Sequence, residues 1–107
     1  MTKTSQLDDL FAEILTRRGA SPDESYSAQL LADLPRATRK LGEEAIETIT
    51  AALTEDDDAL IGEAADVLYH LLVVLAAREV TLDAVMDQLA ARRGRSGLAE
   101  KAARGKE

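Results

Sequence analysis

Residues 57–78 read DDALIGEAADVLYHLLVVLAAR, and this stretch decides the fold. At about 100° per residue, Leu60, Ala64, Val67, Leu68, Leu71, Val74 and Leu75 form a broad apolar face. Ile61, Ala65, Leu72 and Val73 extend it around most of the circumference, so the helix is expected to be largely buried. Between Leu60 and Ala77 the only ionisable side chains besides Tyr69 are Glu63, Asp66 and His70. These three fall within about 60° of one another on the wheel. Carboxylates on so apolar a helix need a compensating partner, because an isolated buried charge is prohibitively costly.

The preceding stretch predicts a second long helix, opened by Asp33 as cap and Pro35 in the first turn and running to about Leu53. On it Ala37, Leu41, Ala45, Ile49 and Ala52 make an apolar face, with Lys40, Glu44, Glu47 and Ala51 in a strip alongside. Glu43 and Arg36 lie further round toward solvent. Glu44/Glu47 and Glu63/Asp66 are therefore two acidic pairs, each at i,i+3 spacing on one helix face. If the helices pack antiparallel across the turn at 54–58, the four carboxylates converge. Without a cation they would repel one another, and helix bundles commonly build metal sites from such inward carboxylates. A single pair of this kind is usually a solvated helix face. Lys40 can equally be an i,i+4 partner of Glu44, and His70 a hydrogen-bonded wall residue.

Further out, Leu7, Leu10, Phe11, Ile14 and Leu15 predict a first helix from Ser5 to Arg18, stopped by Gly19. A short helix over Ser27–Ala32 follows a loop. Thr81, Leu82, Val85, Met86 and Leu89 predict a last helix ending near Gly94. The domain is thus expected over 1–94, as four or five helices, with a basic tail over 95–107 lacking apolar periodicity.

Composition narrows the chemistry. The 107 residues make one domain, 46% hydrophobic but only 3% aromatic, as suits helices packed on helices. With no cysteine and one histidine, a thiolate or multi-histidine metal site is excluded, and oxygen ligands suit magnesium or manganese. Residues 1–91 hold 7 basic and 18 acidic side chains, whereas residues 92–107 hold 6 and 2. So acidic a body is a poor nucleic-acid binder. No signal peptide or membrane span is expected, which points to the cytoplasm.

Lys40-Leu-Gly-Glu-Glu-Ala-Ile-Glu47, followed by Glu63-Ala-Ala-Asp66, resembles the EExxE…ExxD signature of the all-α nucleoside triphosphate pyrophosphohydrolases, the MazG-like superfamily. Ser25-Tyr26, the KLGEE start, Asp66-Val-Leu-Tyr-His-Leu-Leu72 and Gly94-Arg-Ser-Gly-Leu-Ala-Glu-Lys101 look like its phosphoribosyl-ATP pyrophosphohydrolase branch. The resemblance covers nearly the whole chain. It implies an all-α, MazG-like bundle completed by homodimerisation. It implies Mg2+, or Mn2+, on Glu44, Glu47, Glu63 and Asp66, with metal-activated water attacking between the α and β phosphates of phosphoribosyl-ATP. Arg36, Lys40 and His70 are then the substrate-binding candidates and Glu43 the candidate general base. Many relatives carry glycine where this chain has Glu79, which puts the left-handed helix cap there in question. A house-cleaning nucleoside triphosphate pyrophosphohydrolase and a non-enzymatic helical dimerisation module are the competing readings.

Overall fold

The computed structural model describes residues 6–94 and 97–105. They form six helices and no strand: α1 (Gln6–Leu15), α2 (Tyr26–Leu31), α3 (Leu34–Thr54), α4 (Asp57–Ala77), α5 (Leu82–Arg92) and α6 (Gly97–Arg104). The all-α expectation is met. Helices α2 to α5 each start where a short polar side chain can take an orphaned backbone N–H. Ser25 accepts from Ala28 N, Asp33 from Arg36 N, Asp56 from Ala59 N and Thr81 from Ala84 N, at 2.9–3.1 Å. Helix α1 ends at Leu15, short of Arg18, because its last turns tighten: Arg17 N donates to Ile14 O and Arg18 N to Leu15 O. Gly19 then takes φ 79°. Ser5, where that helix was expected to begin, lies outside the described residues.

Only Glu55 and Asp56 separate α3 from α4, so the two form an antiparallel hairpin. Ala37 near the start of α3 shares the core with Val73 and Ala76 near the end of α4. Phe11 and Ile14 of α1, Leu30 of α2 and Leu82 of α5 complete that core. It therefore sits at the end of the hairpin remote from the turn. The other half projects from it, drawing the molecule out to 47 × 34 × 34 Å.

Two sequence expectations about burial are corrected. On α3 the buried residues are Ala37, Glu44 and Ala51, one every seven residues, while Ile49 is 59% exposed. The seam against α4 holds the small Ala37 and Ala51 on either side of Glu44, and the large apolar residues Ile46, Ile49 and Leu53 face outward. On α4 burial is confined to His70, Leu72, Val73 and Ala76. Ile61, Leu68 and Leu71, expected to be covered, are exposed, because α1 and α2 pack only along part of the helix. Helix α4 is also long and apolar enough, by length and composition, to cross a membrane, contrary to the expectation that no stretch approaches a span. Here α1, α2 and α3 pack on it, and its middle carries two carboxylates.

Glu79 holds φ 58°, the left-handed region. Val80 N donates to Leu75 O (2.9 Å) and Glu79 N to Ala76 O (3.1 Å), the paired bonds of a Schellman cap. The junction in question thus keeps its left-handed cap without glycine. The tail also differs from its reading as an aperiodic end, because α6 occupies most of it. Helix-favouring Ala and Leu, with Lys101 and Arg104 in the last turn, suit a helix too short for its period to be read.

Candidate metal and substrate site

Glu44 lies midway along α3, and Glu63 and Asp66 lie in the first half of α4, at the border between the covered and the projecting halves of the hairpin. One carboxylate oxygen from each of the three falls within 4.8 Å of the other two. Glu44 is buried, Glu63 half-buried and Asp66 exposed. The seven-residue seam that places Ala37 and Ala51 against α4 places Glu44 there as well. Glu44 Oε2 and Glu63 Oε1 are shut off from solvent and have no hydrogen-bond partner among the described residues. Unpaired acceptors in that condition are costly unless something positive reaches them.

Glu63 records the crowding. Burial first, then the charge of Glu47, then Glu44, and lastly Asp66, hold its carboxyl above its ordinary proton affinity. Glu47 is thus near enough to act on Glu63, although it is exposed and outside the close trio. The donor set is all oxygen, and two of its oxygens lack partners. That fits a hard divalent cation.

The positive side of the site comes from α3. Lys40 pairs with Glu43 at 3.2 Å rather than with Glu44, and Arg39 pairs with Glu43 at 3.7 Å. Hydrogen bonding to Glu43 and its charge raise the proton affinity of Lys40; burial opposes this, and Tyr26 and Glu44 add to it. One turn earlier, the Arg36 guanidinium lies 6.0 Å from the centre of the Tyr26 ring and donates to Gln29 Oε1 at 3.3 Å. Tyr26 in turn hydrogen-bonds His70 Nε2 at 3.2 Å. Arg36 and His70 are therefore linked through Tyr26 beside the carboxylate trio, while Lys40 is held by Glu43. Glu43 stands apart from that trio, exposed and held by its two cations.

A model of the phosphoribosyl-ATP pyrophosphohydrolase family matches residues 7–93. The chain belongs to that family. Family members named phosphoribosyl-ATP pyrophosphatase are similar along almost their entire length. The one from Caulobacter sp. strain K31 is 59% identical over 98 residues, 92% of each chain. That from Ruegeria pomeroyi is 56% identical over 103 residues, covering 95% of this chain and 98% of the relative. That from Caulobacter vibrioides is 52% identical over 101 residues, 94% of each.

Within this family member, the Tyr69 ring stacks on Tyr26, with centroids 6.3 Å apart and planes at 17°. Its hydroxyl also bonds Ser27. Such links between α2 and α4 escape helical periodicity, which registers neighbours three or four residues apart and is blind to a contact 44 residues away.

Proposed function

We propose that the chain hydrolyses phosphoribosyl-ATP to phosphoribosyl-AMP and pyrophosphate, the second step of histidine biosynthesis, in the cytoplasm. The observation that carries this is the convergence of Glu44, Glu63 and Asp66, with two oxygens orphaned, in a chain of this family.

Glu44, Glu47, Glu63 and Asp66 would hold Mg2+, with Mn2+ the alternative. Bound there, such an ion would offset the charge of the carboxylates and supply Lewis-acid activation for the phosphate and the attacking water. Lys40 and Arg36 supply further positive charge along the phosphate chain, and Lys40 does so from a position already held by Glu43. His70, buried at the back of the same flank, forms the wall against which the substrate lies. Water attacks between the α and β phosphates. Glu43, next in the chain to Glu44, is the proposed acceptor of its proton.

The outward residues Ile46, Ile49, Leu53 and Ile61 all lie on the projecting half of the hairpin, each more than half exposed. Exposed large apolar residues grouped on one half of a hairpin usually mark an interface, which supports a homodimer covering the projecting half.

The test is product analysis with phosphoribosyl-ATP beside a panel of nucleoside triphosphates, with and without Mg2+. The expected result is pyrophosphate and phosphoribosyl-AMP from phosphoribosyl-ATP alone, abolished by chelation. Broad hydrolysis of the triphosphate panel would favour a house-cleaning enzyme.

A further inference from the structure

His70 is the single histidine of the chain, its side chain is 6% exposed, and both of its ring nitrogens are engaged. Nδ1 lies 2.7 Å from the Asp66 backbone oxygen, and Nε2 lies 3.2 Å from the Tyr26 hydroxyl. A carbonyl oxygen only accepts, so Nδ1 carries the proton. In the neutral ring Nε2 is then a lone pair, and the Tyr26 hydroxyl must be its donor. The bonds therefore run in one direction, from Tyr26 to His70 and from His70 to Asp66.

Asp66 needs such a constraint. It is the exposed member of the carboxylate trio, so packing around its own side chain does little to fix it. Tyr26 is well placed to supply the constraint. It opens α2 directly after the Ser25 cap, its ring stacks on Tyr69, and it meets the His70 ring edge-on at 6.1 Å.

We infer that Tyr26 is a positioning residue: through the His70 ring it fixes the turn of α4 that carries Asp66, and with it the spacing of Asp66 from Glu44 and Glu63. This role rests on the reading of Asp66 as a metal ligand. Partners behind metal ligands are worth about 10–100-fold in metal affinity or activity, which sets the expected size.

Because the chain has one histidine, 15N-detected imidazole spectra of the whole protein report on His70 alone. In the wild type one protonated nitrogen, assigned as Nδ1, and one lone-pair nitrogen are expected. Tyr26→Phe should blur that distinction and weaken Mg2+ binding, measured by calorimetry, by about tenfold. The Michaelis constant for phosphoribosyl-ATP at saturating Mg2+ should stay within about twofold while kcat falls. Tyr69→Phe removes a neighbouring hydroxyl bonded to Ser27 and should leave the spectrum and Mg2+ affinity unchanged, which separates positioning from general loosening. His70→Asn keeps a donor for the Asp66 carbonyl but is too short to place an acceptor where Nε2 meets Tyr26. In that background Tyr26→Phe should cause no further loss, and a further tenfold loss would overturn the inference. So would a wild-type ring protonated on Nε2, or a Tyr26→Phe protein with unaltered spectrum or Mg2+ affinity. A wild type that binds no Mg2+ but shows the expected tautomer would refute the metal reading, and the response of the spectrum to Tyr26→Phe would then decide the positioning role.

Discussion

Replacing Glu79 with glycine should stabilise the protein while leaving its site untouched. A non-glycine residue in the left-handed region costs about 1–2 kcal/mol, through the approach of Cβ to the carbonyl oxygen. Glu79 bears that cost at φ 58° and offsets little of it, because its side chain is exposed and makes no hydrogen bond or ion pair among the described residues. Glycine removes the clash but is freer in the unfolded chain, which returns about 0.5–1 kcal/mol. The net gain is about 0.5–1 kcal/mol. An unfolding entropy of about 2.1 cal/mol/K per residue, taken over 107 residues, converts this to a rise in Tm of roughly 2–4 °C. Glu79 lies about 20 Å along the helix axis from Asp66, so kcat and KM should not move. Calorimetry on the wild type, Glu79→Gly and Glu79→Ala reads the effect, since alanine keeps the Cβ and should remain near the wild type. A glycine variant no more stable than the wild type, or an alanine variant matching it, would refute the strain argument and mean that the Glu79 side chain contributes something its exposure hides.

Glu47→Gln or Asp66→Asn should abolish turnover with the helical circular dichroism intact, and the metal-free protein should melt no lower than the wild type because repulsion is relieved; near-normal rates in either variant would show a misassigned ligand. The raised proton affinity of Glu63 fixes the sign of a pH effect: the folded form holds its proton more tightly than the unfolded chain, so metal-free protein should lose stability as pH rises from the ordinary carboxylate range, about 4.3, through the higher folded value. Melting curves across that window should show the loss in EDTA and its suppression by saturating Mg2+; a flat or rising trend in EDTA would contradict the clustering. Equilibrium sedimentation should show a dimer at micromolar concentration, and Ile49→Asp with Leu53→Asp should give a folded monomer; a wild-type monomer would leave the outward apolar residues unexplained. Truncation after Arg92 should leave fold and Mg2+ affinity alone, and a rise in KM for phosphoribosyl-ATP, larger at low salt, would identify Arg93 or Arg95 as reaching the phosphates; Arg95 lies outside the described residues.

Much of this was legible in the sequence, for reasons specific to particular residues. Asp33, Asp56 and Thr81 cap their helices by a local rule that needs no tertiary knowledge, and Gly19 ends the first helix by another. Glu44, Glu63 and Asp66 could be picked out because carboxylates beside an apolar face are conspicuous, and the short turn at Glu55–Asp56 left few ways for the two helices to pack. The buried face of α3 was legible only in part: Ala37 was placed on it and is buried, whereas Ile49 is exposed. Hydrophobicity weighted Ile49, whereas close approach of two helices favours the small Ala51, which the wheel put one strip away. The bond from Tyr26 to His70 depends on how α2 lies across α4, which local pattern does not encode. The cap at Glu79 was doubted because glycine is the usual occupant, yet the backbone bonds around it hold the turn with a larger residue.

All four acidic side chains proposed as ligands belong to one hairpin whose helices are joined by two residues. Bringing them together closes almost no loop, so this encounter carries a small entropic penalty and can form early as the chain folds. Helices α1 and α2, which help bury the far end, must be brought onto α4 from further away in sequence. Mutual repulsion of the acids would then sit in the folding transition state itself. A divalent ion present during refolding should raise the folding rate more than it lowers the unfolding rate. Ion supply would in that way govern how quickly newly made chains become competent, as well as how well mature ones work.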